Sequence, residues 1–195
     1  LSEAARDAGV SLRQIEARQQ SPDHPILWNV PETNYLKFFL FQVVERSRNG
    51  MTEQEKMEAG LLYDPGSDAK LAEDRAVCKD RCLAYNMTLP SHLEERCELM
   101  KKILGKTGGT FHIESDFWCD YGYNITIGEH FYANHNTVIL DCAKVTFGSH
   151  VLIGPNCGFY TAGHPLDTRR RNQGLEYARP ITVGDNVWIG GGVSV

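Results

Sequence analysis

No apolar run in this 195-residue chain approaches the roughly 20 residues that a membrane-spanning helix needs. The greasiest stretch, Tyr35 to Val44, is short and flanked by charge. No signal-peptide pattern is visible. An excess of positive charge is also lacking. The chain carries 20 Lys and Arg against 25 Asp and Glu, a net charge of −5, which argues against a general binder of nucleic acid or of membrane surfaces. The six cysteines do not form the framework of a secreted disulfide scaffold in a chain of this size. Cys78 and Cys82 stand four apart on an expected helix face, but no second pair completes a zinc site. The expectation is reduced thiols, no metal and a cytoplasmic protein. An initiating methionine is missing as well: the chain starts at Leu1 and stops at Val195 in the middle of a repeat, so it reads as cut at both ends, with Met51 a natural start.

What is present suits one or two domains with a real core, since 42% of residues are hydrophobic. Residues 1–50 read as one segment. Ser2, Gly9 and Ser11 punctuate a helix, a tight turn and a second helix, and Ala5, Gly9, Val10 and Ile15 have helix-turn-helix spacing. An ordinary helical hairpin fits equally well, and acidic and basic residues balance here, without the electrostatic footprint of DNA binding. Leu36, Phe39, Leu40, Val43 and Val44 form a helical apolar stripe, read as core or a partner face. Residues 51–106 are expected to be helical. Glu53 to Ala59 makes a short helix ended by Gly60; Asp68 caps a second that runs to about Tyr85-Asn86; Ser91 and Glu94 form a capping box for a third, ending near Gly105.

From residue 107 onward the pattern is mainly β. Ile127, Ala133, Ile139 and Val145 recur at intervals of six, as do Phe147 and Ile153, and Val183 and Ile189, with a two-residue slip between Val145 and Phe147. This is the hexapeptide signature of a parallel β-helix with three hexads to a triangular coil. A β-sandwich does not repeat at strict sixes. Thr161-Ala162-Gly163-His164-Pro165 interrupts the beat, followed by a charged stretch from Asp167 to Arg179. A rigid scaffold that presents one loop histidine points to acid–base chemistry.

Met51-Thr52-Glu53-Gln54-Glu55-Lys56-Met57-Glu58-Ala59-Gly60, Leu62-Tyr63-Asp64-Pro65, Ala84-Tyr85-Asn86, Phe131-Tyr132-Ala133-Asn134, Ile139-Leu140-Asp141, Gly163-His164-Pro165-Leu166, Pro180-Ile181-Thr182-Val183-Gly184 and Val187-Trp188-Ile189-Gly190-Gly191 form a set of motifs. Together they resemble the maltose and galactoside O-acetyltransferases of the hexapeptide-repeat acyltransferase family. The resemblance covers residues 51–195. It implies a left-handed parallel β-helix, incomplete at its C-terminus, behind a helical N-terminal region. It further implies a homotrimer with sites between subunits, acetyl-CoA as acetyl donor and a sugar hydroxyl as acceptor.

By that resemblance His164 is the general base that takes the hydroxyl proton, and imidazole's reference pKa of about 6.5 suits the task. Glu176, at the far end of the same loop, resembles a position that can accept the other ring proton and orient the imidazole. Gly191 aligns with a residue whose amide lies near the acetyl group. Asn134 and Asp141 match acceptor-side positions, and an amide at Asn134 can also grip pantetheine. Asp120 falls where the galactoside enzymes carry a serine that contacts sugar, Tyr132 offers an aromatic face, and Asp64 or Asp68 contributes from the helical cap. Asp141-Cys142 stands where the galactoside enzymes have two adjacent carboxylates, which leans toward the maltose-type branch. Arg169, Arg170 and Arg171 read as a solvated loop tip or as a contact for CoA phosphates. Two other readings fit part of the chain. His130 and His135 raise a β-helical carbonic anhydrase, which needs three zinc-binding histidines. A truncated β-helix that only assembles, or a fragment joined to a DNA-binding regulator, needs no catalysis at all.

Overall fold

The computed structural model describes residues 50–195. The helical hairpin expected near the start of the chain and the Leu36–Val44 stripe lie outside the described residues. Three helices precede the strands. In α1 (Glu53–Glu58) the Thr52 side chain accepts from Glu55 N, and the Glu55 carboxylate accepts from Thr52 N at 2.7 Å, a complete capping box. Gly60, just past its end, takes φ +66°, which glycine adopts without strain. Asp68 caps α2 (Ala69–Met87) by accepting from Lys70 N and Leu71 N.

The third helix, α3 (Leu93–Ile103), starts without the Ser91–Glu94 capping box; its N-cap is His92. The cause is local. His92 N donates to Leu89 O at 3.0 Å, so Ser91 sits inside a turn built on Pro90 rather than at the helix mouth. His92 Nδ1 meets Glu95 Oε2 at 3.1 Å instead.

The rest is a left-handed parallel β-helix. Its strands are β1 (Phe111–Ile113), β2 (Trp118–Cys119), β3 (Ile125–Ile127), β4 (Phe131–Ala133), β5 (Val138–Leu140), β6 (Val145–Phe147), β7 (Leu152–Ile153) and β8 (Gly158–Tyr160). After a loop described below come β11 (Ile181–Val183) and β12 (Trp188–Ile189). Three parallel sheets wall the prism, in the orders β1-β4-β7-β12, β2-β5-β8 and β3-β6-β11. Inward residues stack from coil to coil. Phe131 meets Phe147 at 5.2 Å between ring centroids, and Phe147 meets Phe159 edge-on at 5.0 Å. Left-handed corners fall on Asp116, Asn136 and Asn156 at one edge and on His130, His150 and Asn186 at another, all at positive φ. Asn, Asp and His are the non-glycine residues that tolerate this conformation best.

The coil length departs from three plain hexads. Phe111 pairs with Phe131, Trp118 with Val138 and Ile125 with Val145, so a coil takes 20 residues. The inward steps Ile125–Phe131 and Phe131–Thr137 are six residues, but Phe117–Ile125 and Thr137–Val145 are eight. The slip seen once in the sequence therefore recurs, always between the β2-β5-β8 wall and the β3-β6-β11 wall. The third passage of this edge is longer still: Val145 pairs with Ile181, 36 residues on instead of 20.

The helices close the first coil. Cys78, Cys82 and Tyr85 of α2, with Met100 and Ile103 of α3, pack on Ile113, Phe117 and Cys119. Asn86 binds the Phe117 backbone at both ends, Nδ2 to O at 2.9 Å and Oδ1 from N at 3.1 Å. The buried Arg96 lies over the Tyr85 ring at 4.2 Å and donates to Tyr85 Oη at 2.9 Å and Ile113 O at 3.1 Å. Among the described residues no helix is long and apolar enough to cross a membrane.

Candidate active site

The long edge insertion is a hairpin. Its stalk is β9 (Ala162–Gly163) paired antiparallel with β10 (Tyr177–Ala178), and its tip carries α4 (Thr168–Asn172), capped by Asp167. The register Gly163↔Tyr177 sets the residue after β9, His164, across from the residue before β10, Glu176. Thr161 roots the stalk: its hydroxyl donates to Leu140 O at 2.6 Å and accepts from Ala143 N at 2.9 Å.

His164 is half exposed. Its Nδ1 lies 3.3 Å from Leu175 O, and its Nε2 lies 3.9 Å from Glu176 Oε1. A carbonyl only accepts, so Nδ1 carries the ring proton and the Nε2 lone pair is available. The expected partner of the second ring nitrogen, Glu176, is thus replaced by the backbone of Leu175. Glu176 faces Nε2 instead, at 3.9 Å, beyond hydrogen-bond range. Glu176 is itself fixed from the helical cap. Tyr63 N donates to Glu176 O at 3.0 Å, Glu176 N to Tyr63 O at 2.9 Å, and the buried Tyr63 hydroxyl to Glu176 Oε2 at 3.1 Å. Burial pushes the Tyr63 phenol far above its ordinary range, so it acts as a donor.

Asp64 follows Tyr63 and is half-buried. Its Oδ1 accepts from Gly66 N at 2.9 Å, and the φ +79° turn at Gly174 in the hairpin lies against it. Asp68 is occupied as the cap of α2. Asp120 is half-buried on the same edge two coils up from the hairpin root, with Cys142 Sγ 3.7 Å from its Oδ2, and burial raises its carboxyl. Asp141 does not face the open edge. It is fully buried, and it accepts from Asp120 N at 3.0 Å, Tyr121 N at 2.8 Å and Asn124 N at 3.3 Å, clamping the eight-residue step of the coil above. Burial pushes it up to about 6 against the pull of those backbone donors.

The remaining candidates lie elsewhere on the prism. Asn134 is on the edge between the β1-β4-β7-β12 wall and the β2-β5-β8 wall, stacked with Gly154, on whose backbone Gly191 approaches so closely that a Cβ at Gly154 would meet Gly191 N at 2.6 Å. The Asn134 side chain accepts from His135 N at 2.8 Å. Tyr132 points outward from β4 and stacks on His112 with centroids 5.8 Å apart. One chain therefore gathers His164, Glu176, Asp64 and Asp120 along one edge and leaves Asn134 and Gly191 on another. His130 and His135 sit on different edges too, His130 stacking on His150 at 4.7 Å and His135 Nε2 lying 3.9 Å from Glu114. Arg169, Arg170 and Arg171 are exposed on α4, and Arg171 reaches only the backbone oxygens of Pro165 and Leu166, at 3.4 Å.

Sequence reasoning gave no role to Tyr63 or Leu175. Tyr63 stood inside a quoted motif, and its bridge to Glu176 required the fold. Leu175 acts through its carbonyl and leaves no mark in residue identity.

A hexapeptide coil closed by helices, with a hairpin holding a histidine against a carboxylate, places the protein among the transferases built on this scaffold. The maltose acetyltransferase hexapeptide capping motif matches residues 56–108. A Saccharomyces cerevisiae relative is 52% identical over 141 residues, 72% of each chain. Nodulation protein L of Rhizobium meliloti is 42% identical over 144 residues, 74% of this chain and 78% of its own. Among solved structures, a maltose O-acetyltransferase from Clostridium difficile 630 shares 43% identity with a TM-score of 0.72, over 74% of this chain and 76% of the other. A galactoside acetyltransferase in complex with coenzyme A shares 36% identity with a TM-score of 0.68, over 74% and 75%. The chain belongs to the hexapeptide-repeat acetyltransferase family, of the maltose/galactoside O-acetyltransferase type.

Proposed function

We propose that the protein transfers the acetyl group of acetyl-CoA to a hydroxyl of a sugar, with His164 as general base. The observation that carries this reading is the His164 ring, whose Nδ1 is turned to the Leu175 carbonyl at 3.3 Å while Nε2 stays exposed. A sugar hydroxyl attacks a thioester carbonyl poorly until a base takes its proton, and an oriented neutral imidazole is suited to that step. Nε2 takes the proton, Glu176 supports the resulting cation, and the leaving CoA thiolate receives the proton. Solved relatives named for maltose and galactoside acetylation, one of them bound to coenzyme A, support the donor and the acceptor class.

Asp64 and Asp120 are assigned to acceptor hydroxyls, and Asp141 holds Asp120 in place through its backbone. The Gly191 amide is assigned to the developing oxyanion, Asn134 to pantetheine or acceptor, and Tyr132 to an aromatic contact. Because these last three are not on the His164 edge, a complete site requires an edge from a second copy, and a homotrimer supplies one per site.

The test is thiol release from acetyl-CoA across a panel of maltose, glucose and galactosides. His164→Ala is expected to lose about 10²–10⁴-fold in kcat. Wild-type turnover by that variant at neutral pH would refute the base assignment.

A further inference from the structure

The acetyl-transfer site makes no use of a second cluster, under the helical cap. Cys78 and Cys82 lie one turn apart on the inner face of α2, and Cys119 of β2 rises between them from the first coil. Cys78 Sγ is 3.4 Å and Cys82 Sγ 3.7 Å from Cys119 Sγ, and all three sulfurs lie within 4.8 Å of one another. A disulfide needs about 2.05 Å, so these are three reduced thiols in contact. They are almost fully buried, at 2%, 0% and 3% exposure. Three sulfurs from two elements, converging on one point in an apolar setting, have the form of a ligand set.

The surroundings decide which ion fits. Among the described residues no fourth His, Cys, Asp or Glu joins the group, so a tetrahedral zinc site is not completed. Soft sulfur donors select soft ions. The three thiols act chiefly on one another and are desolvated by burial, and among the described residues the one carboxylate acting on any of them is Asp141, weakly and on Cys78 alone. A mono- or divalent ion bound by three thiolates would leave net negative charge in this core, at a heavy desolvation cost. A trivalent ion leaves none.

We propose that Cys78, Cys82 and Cys119 form a three-coordinate, all-sulfur site for a soft trivalent ion of the arsenite type. Arsenous acid and three thiols give a neutral arsenic trithiolate and three waters: three As–S bonds replace three As–O bonds, each thiol proton leaves with a hydroxide, and no oxidation state changes. The bound ion staples α2 to β2. Since the sulfurs are covered, uptake follows local opening of α2, so its rate levels off at high arsenite.

The test is native mass spectrometry of the reduced protein with arsenite, beside thermal melting and X-ray absorption at the arsenic edge. The expected result is one arsenic per chain, a mass gain of one arsenic less three hydrogens, three sulfur neighbours and a raised melting temperature. Cys119→Ala and Cys78→Ala are each expected to lose the adduct and the melting shift, while melting without arsenite shows that they fold. Cys97→Ser, outside the cluster, is expected to keep both. If either alanine variant fails to fold, the sulfur count and the site of alkylation protection in the wild type decide the matter. Arsenic retained by the alanine variants, two sulfur neighbours, zinc held in preference to arsenite, or a Cys78–Cys119 disulfide in place of an adduct would each overturn the proposal.

Discussion

Tyr63 and Glu176, 113 positions apart in the chain, are joined three times: by two backbone hydrogen bonds of 3.0 and 2.9 Å and by a phenol-to-carboxylate bond of 3.1 Å. The helical cap thereby holds the carboxylate that faces His164. Tyr63→Phe removes only the third link. It is expected to cost about 1.5–3 kcal/mol of stability, the range for a hydrogen bond to a charged group, and to lower kcat several-fold with little change in the acceptor KM. Calorimetry and steady-state kinetics read the two effects separately, and an unchanged kcat would show that Glu176 does not depend on this bond.

Asp141 sets a pH dependence of stability. Burial raises its folded-state pKa from 3.8 to about 6. The folded state then binds this proton more tightly than the unfolded state, so the contribution of Asp141 to stability is fully present below pH 4 and is lost as pH rises through 6. That contribution is on the order of 3 kcal/mol. Urea unfolding of wild type and Asp141→Asn between pH 4 and 7 is expected to show this slope in the wild type and its loss in the variant.

Phe147 is the central ring of the Phe131–Phe147–Phe159 stack and is 1% exposed. Phe147→Ala is expected to destabilise the coil by about 3–5 kcal/mol, measured by denaturant midpoint at constant m-value. Its effect on activity should follow the folded fraction, because the ring touches neither candidate edge.

The separation of His164 from Asn134 and Gly191 predicts complementation between copies. Preparations of His164→Ala and of Asn134→Ala, each depleted in activity, are expected to regain part of the wild-type rate after mixing under subunit exchange. No recovery in verified mixed oligomers would place the whole site in one subunit.

Much of this architecture is legible in the residues. Asp68 and Gly60 mark helix ends through local hydrogen bonding and backbone freedom, and the structure has each in that role, while sequence reasoning missed the Thr52–Glu55 capping box. The six-residue beat from Ile127 through Ala133 to Ile139 gives the coil, whereas Val145 falls in register with Ile125 and not with that row. The Ser91–Glu94 start was misplaced because the Leu89–His92 turn competes for the same backbone. The eight-residue step was visible as one slip, but its recurrence at a single edge emerges only when Phe117–Ile125 is set beside Thr137–Val145. Asp141 shows the limit at the site: a carboxylate offered to substrate and one spent on three backbone amides look identical in sequence. Cys119 shows it again, since a third sulfur 37 positions from Cys82 joins the pair only through folding.

Confining every irregular step to one edge has a mechanical result. The walls keep their vertical alignment however much chain is spliced in at that seam, as Val145 and Ile181 show by pairing across the hairpin as cleanly as Ile125 and Val145 do without one. Reactive groups can thus be lengthened, shortened or exchanged there without retuning the stack that bears the molecule's weight.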